Sequence, residues 1–203
     1  MITSIRATSR SLADHLQSQF ESDPDLASQF HAPGTMHVYL NSPAEMTGSR
    51  TGLSVWLYRV VRDDVTLNRP PRRVSTDLLQ PPPLPLRLHY LLSPMAGAGQ
   101  NDSPETEQVI LGKALQVFND HPTLSGVDLT DDFAGTDTTI TTRLESLTID
   151  QLARVWDALS TSYRTSVSVE VTVVELSVDV TLRSGPPVRV PVLNPGVEVG
   201  DPA

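Results

Sequence analysis

The stretch SVSVEVTVVELSVDVTL, residues 166–182, decides the fold class of this chain. Valine occupies positions 167, 169, 171 and 173, and the apolar residues then shift by one place to positions 174, 176, 178, 180 and 182. Alternation with a period of two residues predicts a β-strand. A shift of one residue turns every later side chain to the other face of a sheet. The stretch therefore predicts either a bulge at positions 173 and 174 within an internal hairpin, or a strand that projects beyond its own sheet.

The composition restricts the class of protein. The 203 residues contain no cysteine, which excludes disulfides, zinc–thiolate sites and thiol catalysis. The formal net charge of −9 argues against nucleic acid as a partner, because phosphates call for a basic surface. The start of the chain has no apolar run of signal-peptide length, and no stretch is apolar enough to span a membrane. We expect a cytoplasmic protein with no membrane partner.

The remaining sequence predicts an α+β fold. Apolar periodicity and end signals predict three helices, over 2–21, 103–120 and 148–159, the last with a capping box from Thr148 to Gln151. Gly112 interrupts the second helix, and close packing of another backbone would explain it. Strands are predicted over 36–41, 53–63, 86–92, 138–147 and 166–183. We therefore expect a mixed sheet flanked by about three helices in a domain of residues 1–183, followed by an extended C-terminal arm of residues 184–203.

Proline dominates two segments outside the predicted sheet. Residues 68–85 are rich in proline and include PPPLP, so they predict a polyproline-like arm and not a central strand or helix. Near the C-terminus, Val188, Val190 and Val192 alternate but are flanked and interrupted by prolines. Such a segment can pair only at the edge of a sheet, which makes these valines candidate partner-binding residues.

A search for catalytic chemistry finds no assembled site. The five histidines do not have metal-ligand spacing, and Asp131 and Asp132 are neighbours in a polar loop, without the two different environments that an acid–base pair needs. We predict no catalytic, cofactor-binding or metal-binding residues and no cofactor. An enzyme that uses His89 with a loop carboxylate stays as an alternative.

The main charge feature is a basic cluster in an acidic chain, which can dock an acidic protein surface. It consists of Arg59, Arg62, Arg69, Arg72 and Arg73. The competing interpretation is that these arginines are solvated or paired with Asp63 and Asp64.

Several stretches together resemble one family. They are LSVWLYRVVRD (53–63), LPLRLHYLLSPMA (84–96), ETEQVILGKALQVFNDHPTLSG (105–126), LTIDQLARVWDAL (147–159) and SYRTSVSVEVTVVEL (162–176). In this order and spacing the chain resembles the cap proteins, or tail terminators, of extracellular contractile injection systems. These are phage-tail-like particles such as the antifeeding prophage and the Photorhabdus virulence cassettes. The resemblance covers roughly residues 5–180.

The resemblance implies a structural role without catalytic residues. Such caps form a ring of six copies at the particle end far from the baseplate, where they stop growth of the inner tube and the outer sheath. The implied partners are the sheath protein, the tube protein and further copies of this chain. The caps would contact these partners through strand edges. Between subunits, the basic cluster would form ion pairs with Asp128, Asp131 and Asp132. The alternative is a monomeric adaptor or peptide-binding module that uses a sheet edge or the proline arm.

Overall fold

The computed structural model describes residues 3–31, 35–46, 50–75, 78–96, 104–176 and 182–183. Its helices and strands, in chain order, are α1 (Ser4–Ser22), α2 (Ala27–Phe30), β1 (Met36–Tyr39), β2 (Thr51–Arg62), β3 (Arg72–Arg73), β4 (Leu78–Gln80), β5 (Leu84–Met95), α3 (Pro104–Asp120), β6 (Thr123–Ser125), β7 (Thr139–Glu145), α4 (Ile149–Ala158), β8 (Val167–Leu176) and β9 (Leu182–Arg183).

Strand β8 lies in the interior of a six-stranded sheet of order β1-β2-β5-β8-β7-β6. It pairs antiparallel with β5 on one side and with β7 on the other. Strand β1 runs parallel to β2, whereas the other neighbours in this sheet are antiparallel. The sheet is therefore mixed, and the predicted α+β class with three long helices is confirmed.

The shift of phase in the sequence corresponds to a β-bulge. Leu88 pairs with Val171, but Leu86 pairs with Val174, so β8 advances three residues where β5 advances two. The extra residue lets Val171 and Val174 both point into the core, where they are 0% and 4% exposed. The bulge interpretation is confirmed, but β8 lies between two strands and does not form a hairpin with either. Residues 177–181, on which a projecting strand would depend, lie outside the described residues.

Helices α1 and α3 cover one face of the sheet. Leu12, Leu16 and Phe20 of α1 and Ile110 and Ala114 of α3 are almost fully buried in the same core cluster as the central strands. The rings of Phe20 and Phe30 pack edge to face at 4.8 Å between centroids, which joins α2 to this core. The face that these helices cover is the core face of the sheet. The opposite face, called here the outer face, is not covered by α1 or α3.

Two local predictions have different outcomes. The capping box of α4 is confirmed, since the Thr148 side chain accepts from the Gln151 backbone and the Gln151 side chain accepts from the Thr148 backbone. The explanation offered for Gly112 is wrong. Apart from the backbone of its own helix, a Cβ atom built at this position meets no atom of the described residues within 4 Å, so close packing of another described backbone segment does not account for the glycine.

The proline-rich segment carries more structure than predicted. Strands β3 and β4 form a small sheet of order β3-β4-β9, in which Leu78 pairs with Arg183 and Leu79 with Leu182. The reason is local: residues 72–73 and 78–80 contain no proline, so they keep the N–H groups that a strand needs. The proposed C-terminal arm, residues 184–203, lies outside the described residues.

Candidate functional site

A polar network occupies the face of the sheet opposite α1 and α3. Period-two alternation places His89 on this face, because its neighbours Leu88 and Tyr90 point into the core. Across the strands, Arg59 pairs with His89, His89 with Glu170, and Glu170 with Arg143. One cross-strand row on this outer face therefore has an arginine at each end and a histidine and a glutamate between them.

Glu145 is the centre of the network. Its Oε2 atom lies 2.7 Å from Ser168 Oγ, 3.0 Å from His89 Nδ1 and 3.3 Å from the Tyr58 hydroxyl. Burial alone would raise the pKa of the Glu145 carboxyl, but the hydrogen bonds from Ser168, His89 and Tyr58 outweigh it and hold that pKa below its usual value. Burial raises the pKa of the Tyr58 hydroxyl, and the nearby Glu145 carboxylate adds to that rise.

A second group of charges adjoins this network. Arg87 contacts Asp63, with 2.7 Å between the guanidinium nitrogen and the carboxylate oxygen, and it lies 3.6 Å from Glu170. Asp63 also accepts from the Thr66 hydroxyl at 2.6 Å. The Thr66 hydroxyl and the Arg87 guanidinium lower the pKa of the Asp63 carboxyl despite its burial. These contacts join β5 to the turn that follows β2.

The network fits a structural role better than a metal site. Ligand atoms of His89, Glu145 and Glu170 lie within 4.8 Å of one another, as a metal site would require. However, guanidinium nitrogens of Arg87 and Arg143 lie 3.6 and 3.9 Å from the Oε1 atom of Glu170, one of the three residues of this group. These guanidinium groups would repel a metal ion, and Glu145 already has three hydrogen-bonding neighbours.

The alternative of an enzyme based on His89 also lacks geometry. His89 meets Glu145, a strand residue, and not a loop aspartate. The larger groove found among the described residues, about 860 Å³, is lined by Arg69, Pro82, Thr139, Thr172 and Glu175, and His89 does not line it. The required convergence of His89 and an aspartate in one pocket is therefore not found in the described part of the chain.

The predicted basic cluster is divided among several environments. Arg62 pairs with Asp64 at 2.9 Å, as the competing interpretation expected, and Arg69 pairs with Glu175. Arg59 is exposed on the outer face, and Arg72 and Arg73 are exposed in β3. The cluster thus extends from the outer face of the sheet to the proline-rich segment.

The predicted acidic residues have partners within the chain. Asp131 and Asp132 both contact Arg6, at 2.7 and 3.1 Å. Asp128 lies 3.6 Å from the Nδ1 atom of His15, whose pKa is lowered mainly by burial.

Sequence reasoning missed Arg6, Tyr58, Glu145 and Ser168. Alternation could have indicated which face each strand residue occupies, but not which strands become neighbours. Val188, Val190 and Val192 lie outside the described residues.

The two margins of the main sheet differ in their backbone groups. At β1, the Val38 N–H donates to Gln17 Oε1 of α1 at 2.8 Å, so a side chain occupies that margin. At the other side, β6 pairs only with residues 139–141 of β7, and the Thr142 N–H donates to the Pro122 carbonyl at 2.7 Å. Beyond that point Leu144 is 58% exposed. Among the described residues, the margin of β7 after Thr142 is therefore the more open of the two.

Taken with the charge networks, these features define an α+β protein with a mixed sheet and accessible strand margins. The sequence matches the family described as the Pvc16 N-terminal domain over residues 7–190. That match covers most of the chain, and the chain belongs to this family. No curated protein sequence matches it.

Two solved structures are similar to this chain. The PVC sheath/tube terminator of an extracellular contractile injection system, in its extended state, matches with a TM-score of 0.62 and 16% identity, over 94% of this chain and 61% of that one. The tube-terminating cap of the anti-feeding prophage matches with a TM-score of 0.48 and 14% identity, over 81% of this chain and 53% of that one. The chain thus spans less than two thirds of either.

The family match confirms the resemblance predicted from the sequence. The sheath/tube terminator shares the fold of this chain. Within the described residues, no helix is both long and apolar enough to cross a membrane.

Proposed function

We propose that this chain caps a contractile injection particle, as a ring of six copies that ends the inner tube and the outer sheath. The observation that carries this proposal is the family match over residues 7–190, supported by a fold similar to that of a sheath/tube terminator. The partners are the sheath protein, the tube protein and further copies of this chain. Assembly takes place in the cytoplasm, and the cap leaves the cell as part of the particle.

Strand margins and exposed charge supply the contacts in this proposal. An unpaired strand margin offers N–H and C=O groups that bind another chain by adding a strand. The exposed arginines 59 and 72 offer charge to an acidic neighbour, and such pairs set register and specificity more than affinity. A closed ring requires contacts in which one patch fits a different patch on the next copy. The margin of β7 is open after Thr142, whereas Gln17 occupies the Val38 N–H at the margin of β1, and this difference agrees with such an asymmetric contact.

The experiment is localisation on assembled particles. Particles are produced from their own gene cluster with an epitope on this chain and are labelled for electron microscopy. We expect the label at the end far from the baseplate, together with co-purification of sheath and tube. Label along the sheath or at the baseplate, or absence of the chain from intact particles, would contradict the proposal.

The second candidate is a monomeric adaptor or peptide-binding module. The groove of about 860 Å³ between the proline-rich segment and strands β7 and β8 favours it, because extended peptides bind in such concave sites. Mass measurement separates the two candidates. An adaptor stays at 22.1 kDa at every concentration and is absent from particles, whereas a ring subunit is recovered as a multiple of that mass or with particles.

A further inference from the structure

The segment of residues 126–133, between β6 and β7, is held against α1 by side chains of that helix. It contains two single-turn 3₁₀ helices, Gly126–Asp128 and Asp131–Phe133. Ser11 Oγ accepts a hydrogen bond from the Thr130 backbone N–H at 3.0 Å, and the Thr130 hydroxyl donates to the Asp14 carboxylate at 2.9 Å. One residue of the segment is therefore bonded to α1 through both its backbone and its side chain.

The backbone of the segment adopts a conformation that the contacts with α1 stabilise. Asp131 has a φ of +56°, in the left-handed region that residues other than glycine rarely occupy. Arg6 of α1 donates to both carboxylate oxygens of Asp131, at 2.7 and 3.0 Å. The shape of the segment thus depends on its contacts with α1 as well as on its own sequence.

His15 lies one helical turn beyond Ser11 and contacts the same segment. Its side chain is only 7% exposed, and its Nδ1 atom lies 3.6 Å from a carboxylate oxygen of Asp128. Its Nε2 atom is sealed from solvent and has no hydrogen-bond partner among the described residues. The neutral imidazole fits this position better than the charged one, because protonation would leave a buried N–H group without an acceptor.

Two other titratable groups act on the charge of the His15 imidazole. Asp128, in the segment, favours the charged form. His121, just after the end of α3, opposes it, with 5.8 Å between the two ring centroids. Burial has the largest effect, and the pKa of His15 is lowered from its ordinary value of 6.5. The closed structure, with the segment on α1, therefore disfavours protonated His15.

Proton binding at His15 is consequently linked to opening of the segment. When the segment leaves α1, water reaches His15 and its pKa returns toward 6.5. Well above that pH the imidazole is neutral in both states, and the closed state keeps its full stability. As the pH falls below 6.5, the open state takes up protons first, so the closed state loses stability relative to it until the pH passes the lower folded value. Carboxyl groups of unstructured chains titrate near pH 4, below the start of this range.

We propose that protonation of His15 below about pH 6.5 raises the fraction of molecules in which residues 126–133 have left α1, and that this corner is an acid-sensitive switch built into the fold. Leu129 and Phe133 are 3% and 5% exposed in the core, so the closed form stays the major one. Mild acid increases the open fraction while the sheet stays folded. This inference goes beyond the proposed capping function and does not depend on it.

Hydrogen exchange at the Thr130 amide reports the opening, because Ser11 accepts from that amide in the closed state. The full chain is measured from about pH 7.5 to about pH 5, with rates corrected for the intrinsic pH dependence of exchange. Val171, in the interior strand β8, is the reference amide. We expect Thr130 to be less protected than Val171 throughout. Its protection should fall by up to about 30-fold at pH 5, the ratio of charged to neutral imidazole at a pKa of 6.5.

Two variants identify the group that titrates. His15→Gln should lose the fall in Thr130 protection. His121→Gln is the matched control at the neighbouring ring and should keep it. Titration of the His15 imidazole by NMR gives a test that needs no variant, and its midpoint should lie below 6.5.

The remaining results would overturn the inference. These are an imidazole midpoint at or above 6.5, an unchanged fall in His15→Gln, and loss of the fall in His121→Gln. Equal protection of Thr130 and Val171 would also overturn it, because the segment would then leave α1 only when the whole chain unfolds.

Discussion

The side-chain oxygen of Gln17 lies 2.8 Å from the backbone nitrogen of Val38, and this hydrogen bond occupies the margin of the main sheet at β1. Gln17 also donates to Glu21 and to the Phe30 carbonyl, so its amide is held in place. One glutamine of α1 thus makes the two margins of the sheet unequal, as a directional assembly requires.

Replacing Gln17 is expected to open the β1 margin. Gln17→Ala removes the acceptor for the Val38 N–H and should cost about 1–2 kcal/mol in the free energy of unfolding. It should also speed amide exchange at Val38 and promote self-association through the exposed margin. Chemical denaturation and hydrogen exchange measure these effects. Gln19→Ala, on the same helix, is the control and should leave Val38 protected. Equal exchange at Val38 in both variants would contradict this assignment.

Acid should destabilise the outer-face network. The folded-state pKa values of Glu145 and Asp63 are lowered, so the stabilisation from these carboxylates is complete above their unfolded values, near 4, and is lost as pH falls through the lower folded values. We expect the free energy of unfolding to fall steadily between about pH 5 and pH 3. Denaturant titrations across that range measure it. Glu145→Gln should be less stable at pH 7 and show a shallower decline. If the free energy of unfolding of Glu145→Gln falls with pH as steeply as that of the unsubstituted chain, groups other than Glu145 cause the pH dependence.

Gly112→Ala is expected to stabilise the protein. The position is inside α3, and a Cβ atom there meets no described residue outside its own helix within 4 Å, so the substitution should gain helix propensity of about 0.5–1 kcal/mol without a clash. Thermal unfolding checks this expectation. Gly52→Ala is the contrasting variant. Its φ is +131° and the new Cβ would lie 2.0 Å from the His37 carbonyl oxygen, so it should be strongly destabilising. A lower melting temperature for Gly112→Ala would show that the glycine has a role in the assembly or the fold that the free chain does not reveal.

Arg59→Glu tests whether exposed charge contributes to assembly. Arg59 lies at the end of the cross-strand row on the outer face, so reversal of its charge should leave unfolding nearly unchanged but reduce incorporation of the chain into particles several-fold. Quantitative labelling of purified particles measures the incorporation. Arg10→Glu, an exposed position of α1 outside the basic cluster, is the matched control. Incorporation equal to that of the control would remove Arg59 from the set of partner-binding residues.

Sequence reasoning succeeded where short-range patterns decide the structure. The valine alternation predicted strand β8, its slip gave the bulge as one of two alternatives, and Thr148 and Gln151 predicted the start of α4, because these signals lie within a few residues of one another. It failed where distant segments meet. Arg6 pairs with Asp131, and Tyr58 meets Glu145 and Ser168, only because strand order and helix packing bring them together. The small sheet was missed because proline-free stretches as short as two residues carry little strand signal.

The length of the particles tests the central claim most directly. Particles are produced with and without the gene for this chain, and the lengths of tube and sheath are measured by electron microscopy. A cap that stops polymerisation predicts uneven, overlong or unstable tubes and sheaths without the chain, and recovery of uniform length when it is supplied again. Uniform particles of normal length in its absence would contradict the account.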